Sequence, residues 1–279
     1  MNNKKNQPSE ADTRRANLAP VSGAHDAADT GISRRGFLGF AAASIFLVNA
    51  GQQSRRLESR NGIPYRTLGR SKEKVSLIGL GGYHLGNQAD PQESIRIIRT
   101  GLDEVVNFLD NCPGGAKGWQ IRHIGFTGHK GPDIHLKMLT TALKHGFTFD
   151  AVQMPLNVMD AHFDSFEKKV LPVLLKNDIG VLGMKPMGDH VILESKTATP
   201  VECLHYAMNL PTSVVITGCY SLPILQQALQ AARSFQPMNP SQVAALLAKT
   251  AKAAEAGKFE LYKTSHRFDG TYANPQWLG

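Results

Sequence analysis

The short connection between two apolar segments is the sequence feature that most constrains the fold. Residues 107–110 (NFLD) form a short apolar run that ends in an acid, and residues 123–127 (HIGFT) form a second run. Only residues 111–122 lie between them. A crossover between parallel strands needs at least about 10–12 residues including its helix, and one unit of an eight-fold barrel averages about 30. Because the connection PGGAKGWQ contains a proline and three glycines, we do not expect it to form that helix.

Strand-like and helix-like segments alternate along the rest of the chain. A hairpin over residues 64–80 is expected to lead into the first strand. The other predicted strands are residues 105–110, 123–127, 151–154, 180–185 and 213–217, and the predicted helices are residues 91–102, 133–145, 163–177, 200–208, 222–232 and 241–256. Asp133 is the expected N-cap of the second helix and Gly146 its C-terminal stop. The alternation predicts a parallel sheet, and the absence of a phosphate-loop or GxGxxG motif favours a barrel over a doubly wound sheet.

Composition is that of an ordinary globular protein with one large domain. The 279 residues are 42% hydrophobic and 19% charged, and we assign residues 51–279 to one α/β domain that follows an N-terminal segment of residues 1–50. The formal net charge is +8, but the basic residues are scattered rather than clustered. This distribution does not favour a nucleic-acid partner, although it is compatible with an anionic phosphate cofactor.

Neither cysteines nor histidines indicate a metal site. The odd cysteine count and the absence of CxxC spacing suggest no disulfide framework or zinc site; the cysteines are Cys112, Cys203 and Cys219. His123, His129 and His135 are close in sequence but lack both i, i+4 spacing and an HExxH pattern. We therefore predict no metal and assign these histidines to solvated or supporting positions.

The first 50 residues resemble an export signal. Residues 1–32 are polar and are predicted to be disordered. Ser33, Arg34, Arg35, Gly36, Phe37 and Leu38 then precede an apolar run that ends at Ala50. This arrangement is typical of a twin-arginine signal and is too short to anchor the chain stably in a membrane. It predicts periplasmic export of the folded protein by the twin-arginine machinery, with Gly51 as the first residue after cleavage. The alternative is a short buried helix preceded by incidental arginines.

In a barrel of this kind, the residues at the carboxyl ends of the strands build the site. The candidates are polar or glycine-rich and suit a nucleotide; they are Gly81, Gly82, Tyr83, His84, Asp110, Thr127, Gly128, His129, Gln153, Asn157, Met184, Lys185, Gly188, Gly218, Cys219 and Ser221.

Several of these segments resemble the aldo/keto reductases, especially bacterial members with twin-arginine signals. The segments are YRTLGRSKEKVSLIGLGGYHLG, NFLDN, IRHIGFTGH, FDAVQMPLN, GVLGMKPMG and SVVITGCYS, which occur in the family's order and cover most of residues 63–232. The resemblance implies a (β/α)8 TIM-type barrel, NADP or NAD as the cofactor, and a small carbonyl compound as the substrate.

The resemblance also assigns roles to individual positions. Asp110 matches the family's catalytic-site aspartate, Gly82 and Tyr83 fall beside the nicotinamide ribose, and Thr127, Gly128 and Gln153 match residues that hold the carboxamide. Met184 stands where many members stack an aromatic ring on the nicotinamide. Lys185 and the segment containing Gly218, Cys219 and Ser221 fall where the pyrophosphate and adenosine phosphate are held. Ile224 and Ala228 replace polar residues around the adenosine, so the choice between NADH and NADPH stays open.

Three catalytic positions of the family are missing from this chain. The position of the proton-donating tyrosine is Gly115, and the strands that carry the family's lysine and histidine are absent between Cys112 and Ile121. We therefore expect an incomplete barrel of about six strands, either distorted and closed or open. If it is open, its unpaired edges could associate into oligomers.

The missing positions leave two functional interpretations. The first is an NAD(P)H-dependent oxidoreductase whose hydride transfer is impaired or lost, and the alternative is a non-catalytic cofactor-binding remnant. Tyr83 and His84 are the nearby side chains that could replace the missing acid. The simpler expectation is that Tyr83 lines the pocket and His84 faces solvent.

Overall fold

A small antiparallel sheet begins the described part of the chain. The computed structural model describes residues 57–110, 123–266 and 268–270. Strands β1 (Ser59–Arg60), β2 (Ile63–Thr67) and β3 (Lys74–Ser76) pair in that order, as the predicted hairpin requires. Arg66 is half-buried and donates to the main-chain oxygens of Met208, Leu210 and Thr212. Burial lowers its pKa to about 10, and the three acceptors compensate the guanidinium for lost water.

Within the described residues, the main sheet contains six parallel strands and is open. Its strands are β4 (Ile78–Gly81), β5 (Leu109–Asp110), β6 (Gly125–Thr127), β7 (Ala151–Pro155), β8 (Gly180–Met184) and β9 (Val214–Thr217). Their spatial order is β5-β4-β9-β8-β7-β6, and every pairing is parallel. The two strands that flank the short connection therefore lie at opposite edges of the sheet. The predicted incomplete barrel is confirmed, in its open form.

Helices follow most of the strands. They are α1 (Gly82–Gly86), α2 (Pro91–Asp103), α3 (Pro132–Lys144), α4 (Phe166–Lys169), α5 (Leu171–Lys176), α6 (Val191–Glu194), α7 (Pro200–Asn209), α8 (Leu222–Ser234), α9 (Pro240–Thr250) and α10 (Leu261–Thr264). Several start as their sequences predict: Asp90 caps α2 by accepting from the Gln92 N–H, and Thr199 with Glu202 forms a capping box on α7. Among the described helices, none is long and apolar enough to span a membrane.

Apolar side chains fill both faces of the curled sheet. Outside it, α2, α7 and α8 pack on β4 and β9 through residues such as Ile97, Leu204 and Leu225. Inside it, Val214, Ile216 and Met184 pack with Leu68 and Val75 from the hairpin region. The hairpin region therefore closes the amino-terminal end of the strands and leaves the carboxyl end for the site.

Several predicted boundaries were wrong, and the helix expected over residues 241–256 ends at Thr250. The helix expected over residues 163–177 is two helices, because Pro172 has no N–H to continue the hydrogen-bond ladder and the chain bends at Val170. Helix α3 has Gly131, not Asp133, at its N-cap, although Gly146 follows it with φ +70° as predicted. The strand expected from residue 105 begins at Leu109, since Val105 has φ +62°, which a β-strand cannot contain.

Several predictions fall outside the described residues. They are the disorder predicted for residues 1–32, the predicted export signal ending at Ala50, the predicted 50/51 domain boundary, and the assignment of Gly115 to the tyrosine position. Association through the strand edges also stays a prediction.

Candidate functional site

The predicted site residues lie together at the carboxyl ends of the parallel strands, as a barrel requires. Asp110 ends β5 and Gln153 lies in β7, near the opposite edge of the sheet, yet the Gln153 side-chain amide donates to Asp110 Oδ2 at 3.0 Å. The sheet therefore curls far enough to bring its two sides into contact across the barrel interior. This hydrogen bond joins the predicted catalytic carboxylate to the predicted carboxamide-binding amide.

The main chain at Gly128 is fixed beneath this pair. The Gly128 N–H donates to the Gln153 main-chain oxygen at 3.4 Å, and the His135 ring contacts the same oxygen at 3.2 Å. A Cβ at Gly128 would lie 2.8 Å from the His135 ring. Glycine is therefore required here because a buried histidine packs against the backbone. His135 is 2% exposed, so of the two positions expected for it, solvated or supporting, it takes the supporting one.

His84 and Tyr83 have exchanged the environments expected for them. Tyr83 is 73% exposed, whereas the His84 ring lies over Gly218, packs edge-on against Tyr220 at 4.3 Å between centroids, and contacts Asp189 Oδ1 at 3.3 Å. Burial lowers the His84 pKa, and the Asp189 carboxylate opposes that effect. The ring turns inward because Gly218 has no side chain to exclude it.

The strand ends near Gly218 can accommodate an anion. Ser221 is the N-cap of α8, a helix of 13 residues, and its side chain accepts no hydrogen bond from the N–H groups of that helix. Thr217 lies one residue before Gly218, and its buried Oγ1 has no hydrogen-bond partner in the described part of the structure. Helix N–H groups without a capping side chain are donors that phosphate oxygens can use, although Pro223 removes one of them from the first turn of α8. These residues fit the phosphate end of a dinucleotide.

Cys219 and Met184 contribute apolar surface rather than reactive groups. The Cys219 side chain is buried, and burial raises the pKa of its thiol to about 12. Met184 is 9% exposed and packs with Ile216 inside the sheet. Either residue could contact a ligand only through its main chain or an exposed edge.

Residues near the C-terminus cover part of the site, which the sequence patterns did not predict. Lys130, just after β6, donates to the Ser265 main-chain oxygen at 2.7 Å and pairs with Asp269 at 2.9 Å. The Lys185 ammonium lies 4.6 Å from the Phe268 ring centroid and 5.7 Å from that of Tyr262. The region after residue 258 lacks hydrophobic periodicity, so the sequence offered only the charges of Glu260 and Lys263, spaced three apart, as a signal.

A buried ionic cluster attaches this C-terminal region. Lys263 pairs with Asp160 at 2.6 Å and with Glu260 at 2.9 Å, and all three side chains are 2% exposed or less. Tyr262 donates to Glu260 and accepts from the Asn157 amide at 2.8 Å. Burial raises the pKa of Glu260 to about 7. Asn157 follows β7, so the cluster ties α10 directly to a strand end.

Two other kinds of site have less support. Within the described ranges, no three His, Cys, Asp or Glu side chains are grouped to hold a metal ion. A hollow of about 710 Å³ lies beside α9, but it is open to solvent and its Lys249 already pairs with Glu202 at 2.7 Å. Neither of these places includes the candidate residues at the strand ends.

Comparisons with known proteins bear on the fold alone. No family model matches the chain, and no curated protein matches it. Among solved structures, the chain is similar to an aldo-keto reductase from Bacillus halodurans in its holo form, with 14% identity over 70% of this chain and 99% of that one and a TM-score of 0.47. A similarity of that size assigns no residue roles.

Proposed function

We propose that this protein binds a nicotinamide dinucleotide and belongs, by ancestry, with the aldo/keto reductases, but that hydride transfer to a carbonyl compound is impaired or lost. The observation that carries this proposal is the hydrogen bond from the Gln153 amide to Asp110. It supports a cofactor site at the strand ends whose carboxylate is paired with an amide rather than with an acid.

The chemistry explains why the missing groups matter. A bound nicotinamide supplies a hydride, and the carbonyl oxygen that receives it must then be protonated or held by positioned donors. An ionised Asp110 is an acceptor, and the Gln153 amide does not release a proton. Because a positioned acid contributes typically about 10²–10⁴-fold to the rate, a site without one should turn over slowly or not at all.

Different residues would hold the two ends of the dinucleotide. Thr127, Gly128 and Gln153 would hold the carboxamide end, with Gly82, Tyr83 and Met184 beside the ribose and ring. Gly218, Cys219 and Ser221, together with the start of α8, would hold the phosphates, with Lys185 nearby. The choice between NADP and NAD remains open, because nothing charged marks the adenosine positions Ile224 and Ala228.

Titration of the full-length protein with NADPH and NADH tests the proposal. We expect saturable binding of one or both, with little or no turnover of a generic aldehyde such as propanal. Ser221→Asp adds a negative charge beside the proposed phosphate position and should weaken binding about 5- to 10-fold, since unit charges 4 Å apart in water repel by about 1 kcal/mol. Aspartate is also a good N-cap, so α8 should not be destabilised.

The matched control is Gln226→Asp, which adds the same charge to an exposed position of the same helix. It should leave binding unchanged. Absence of binding to both nucleotides would contradict the proposal. Turnover that survives Asp110→Ala but is abolished by Tyr83→Phe would show instead that Tyr83 supplies the acid and that the protein is an active reductase.

A further inference from the structure

The main chain at the end of β8 is held in an unusual conformation. Lys185 has φ +51°, which is strained for a residue other than glycine. Its carbonyl oxygen accepts from the Asn157 side-chain amide at 3.1 Å and from the Gly188 N–H at 3.0 Å. Asp189 and His190 also have positive φ. Such strain persists only where the surroundings enforce it, and it concentrates at functional sites.

The Lys185 amine lies beside aromatic rings and forms no ion pair with a described residue. Its nitrogen faces the rings of Phe268 and Tyr262 at 4.6 and 5.7 Å. At these strand ends the ion pairs between described residues use Lys130 and Lys263, and none includes Lys185. Burial lowers the pKa of the Lys185 ammonium, and the more distant Asp189 carboxylate opposes this effect. A desolvated lysine of this kind is the usual form of a nucleophilic amine.

His129 supplies an independent observation at the same place. Its Nδ1 is buried and has no hydrogen-bond partner among the described residues. Its ring packs against Tyr262 and Phe268, with centroids 6.1 and 6.2 Å apart. Burial lowers its pKa. The Lys185 amine faces the same two rings, which places the two side chains in the same neighbourhood. A buried nitrogen without a partner is costly unless something else binds there.

We propose that Lys185 captures small aldehydes as imines, with His129 as the adjacent proton carrier, where the ends of β6 and β8 lie beside the rings of Tyr262 and Phe268. The neutral amine forms a C–N bond to the carbonyl carbon while the π electrons move to oxygen. One proton passes from nitrogen to that oxygen, giving a carbinolamine. The C–O bond then breaks, water leaves with a second proton, and the C=N bond forms.

This step needs no hydride donor, so it goes beyond the proposed cofactor binding and can be tested separately. Full-length protein is incubated with propanal and sodium cyanoborohydride, which reduces any imine to a stable propyl-lysine, and the labelled lysines are located by peptide mass spectrometry. We expect Lys185 to acquire on the order of 10-fold more label at neutral pH than exposed lysines do, because its amine is less protonated.

Three variants define the specificity of the reaction. Lys185→Arg should lose the fast label, while Lys130→Arg, which keeps a charge beside Asp269, should retain it. His129→Ala should slow labelling of Lys185 several-fold and flatten its pH-rate profile. Label distributed among lysines according to exposure, without enrichment at Lys185, would overturn the proposal, and this outcome is read from the unmutated protein. Nucleotide binding without Lys185 labelling would leave the proposed function intact, and the reverse result would leave the imine proposal intact.

Discussion

Single residues determine which side chains can pack at the site, and Gly218 shows this most clearly. A Cβ at this position would lie 2.1 Å from His84 Nδ1. The histidine ring can therefore pack on the backbone and reach Asp189 only because residue 218 has no side chain. The ring's contact with Tyr220 depends on the same space.

Gly218→Ala should therefore displace His84 and cost about 1–3 kcal/mol of unfolding free energy, as overpacking typically does. In the double variant with His84→Ala the clash is gone, so its cost should be clearly less than the sum of the two single costs. Urea unfolding of the four proteins measures this coupling. Gly86→Ala is the control, because a Cβ there would meet nothing within 4 Å. Additive costs would mean that the ring does not depend on Gly218.

At the scale of elements, the C-terminal helix α10 depends on charges buried in its contact with β7. The Lys263 ammonium faces Asp160 and Glu260, and Glu167 lies on α4 close to Asp160. Burial raises the pKa of all three carboxyl groups, because one lysine cannot compensate for so much desolvated negative charge. The Glu260 Oε2 atom is buried without a hydrogen-bond partner in the described residues.

This arrangement predicts a pH dependence of stability. The folded-state pKa of Glu260 is raised from 4.5 to about 7. The stability that protonated Glu260 contributes to the folded state is therefore complete below about pH 4.5 and is lost as the pH rises to about 7. Glu260→Gln keeps a neutral side chain at every pH. As the pH rises from 5 to 8, the unfolding free energy of the variant should increase by up to about 3 kcal/mol relative to that of the unmutated protein. Urea unfolding at both pH values measures the change.

Glu255→Gln is the control for that experiment, because Glu255 is exposed and belongs to the 3₁₀ turn Glu255–Gly257 outside the cluster. Its unfolding free energy should equal that of the unmutated protein at both pH values. If the unfolding free energy of Glu260→Gln changes with pH as that of the unmutated protein does, Glu260 is ionised throughout and the cluster holds both charges.

At the scale of the whole molecule, the open sheet bears on how the chain folds. The predicted export signal bears on where the folded protein is located. The described body buries apolar residues on both faces of its sheet, and its hairpin region closes one end. The twin-arginine pathway takes folded proteins, so the predicted signal is consistent with export after folding. Strands β5 and β6 are the edges of the sheet in the described ranges, and each is at most three residues long, which limits edge-to-edge pairing.

Export should depend on one of two arginine pairs. Replacing Arg34 and Arg35 by lysine should retain the protein in the cytoplasm of a bacterium with a twin-arginine system, as cell fractionation would show. The same replacement at Arg14 and Arg15, a pair that no apolar run follows, should leave export unchanged. Equal periplasmic amounts of both variants would contradict the export proposal.

Local patterns were sufficient for most elements of the fold. The βα alternation, the starts of α2 and α7, the short connection after Asp110 and the glycine stop after α3 all depend on residues near one another in sequence. Predictions failed where distant residues decided the conformation. His84 turned inward because Gly218, far along the chain, leaves room for its ring. The C-terminal residues lie over the site because Asp160 and Asn157 bind Lys263 and Tyr262, a long-range contact that no local pattern signals.

The sequence by itself therefore determined the parallel α/β architecture, its incomplete strand count and the set of residues at the strand ends, since these follow from periodicity, turn chemistry and connection length. Only the tertiary structure decided which of those residues meet. The Asp110–Gln153 hydrogen bond, the His84–Asp189 contact and the aromatic surroundings of Lys185 each join segments that are 43 or more residues apart. Such contacts depend on how far the open sheet curls, which local patterns do not encode.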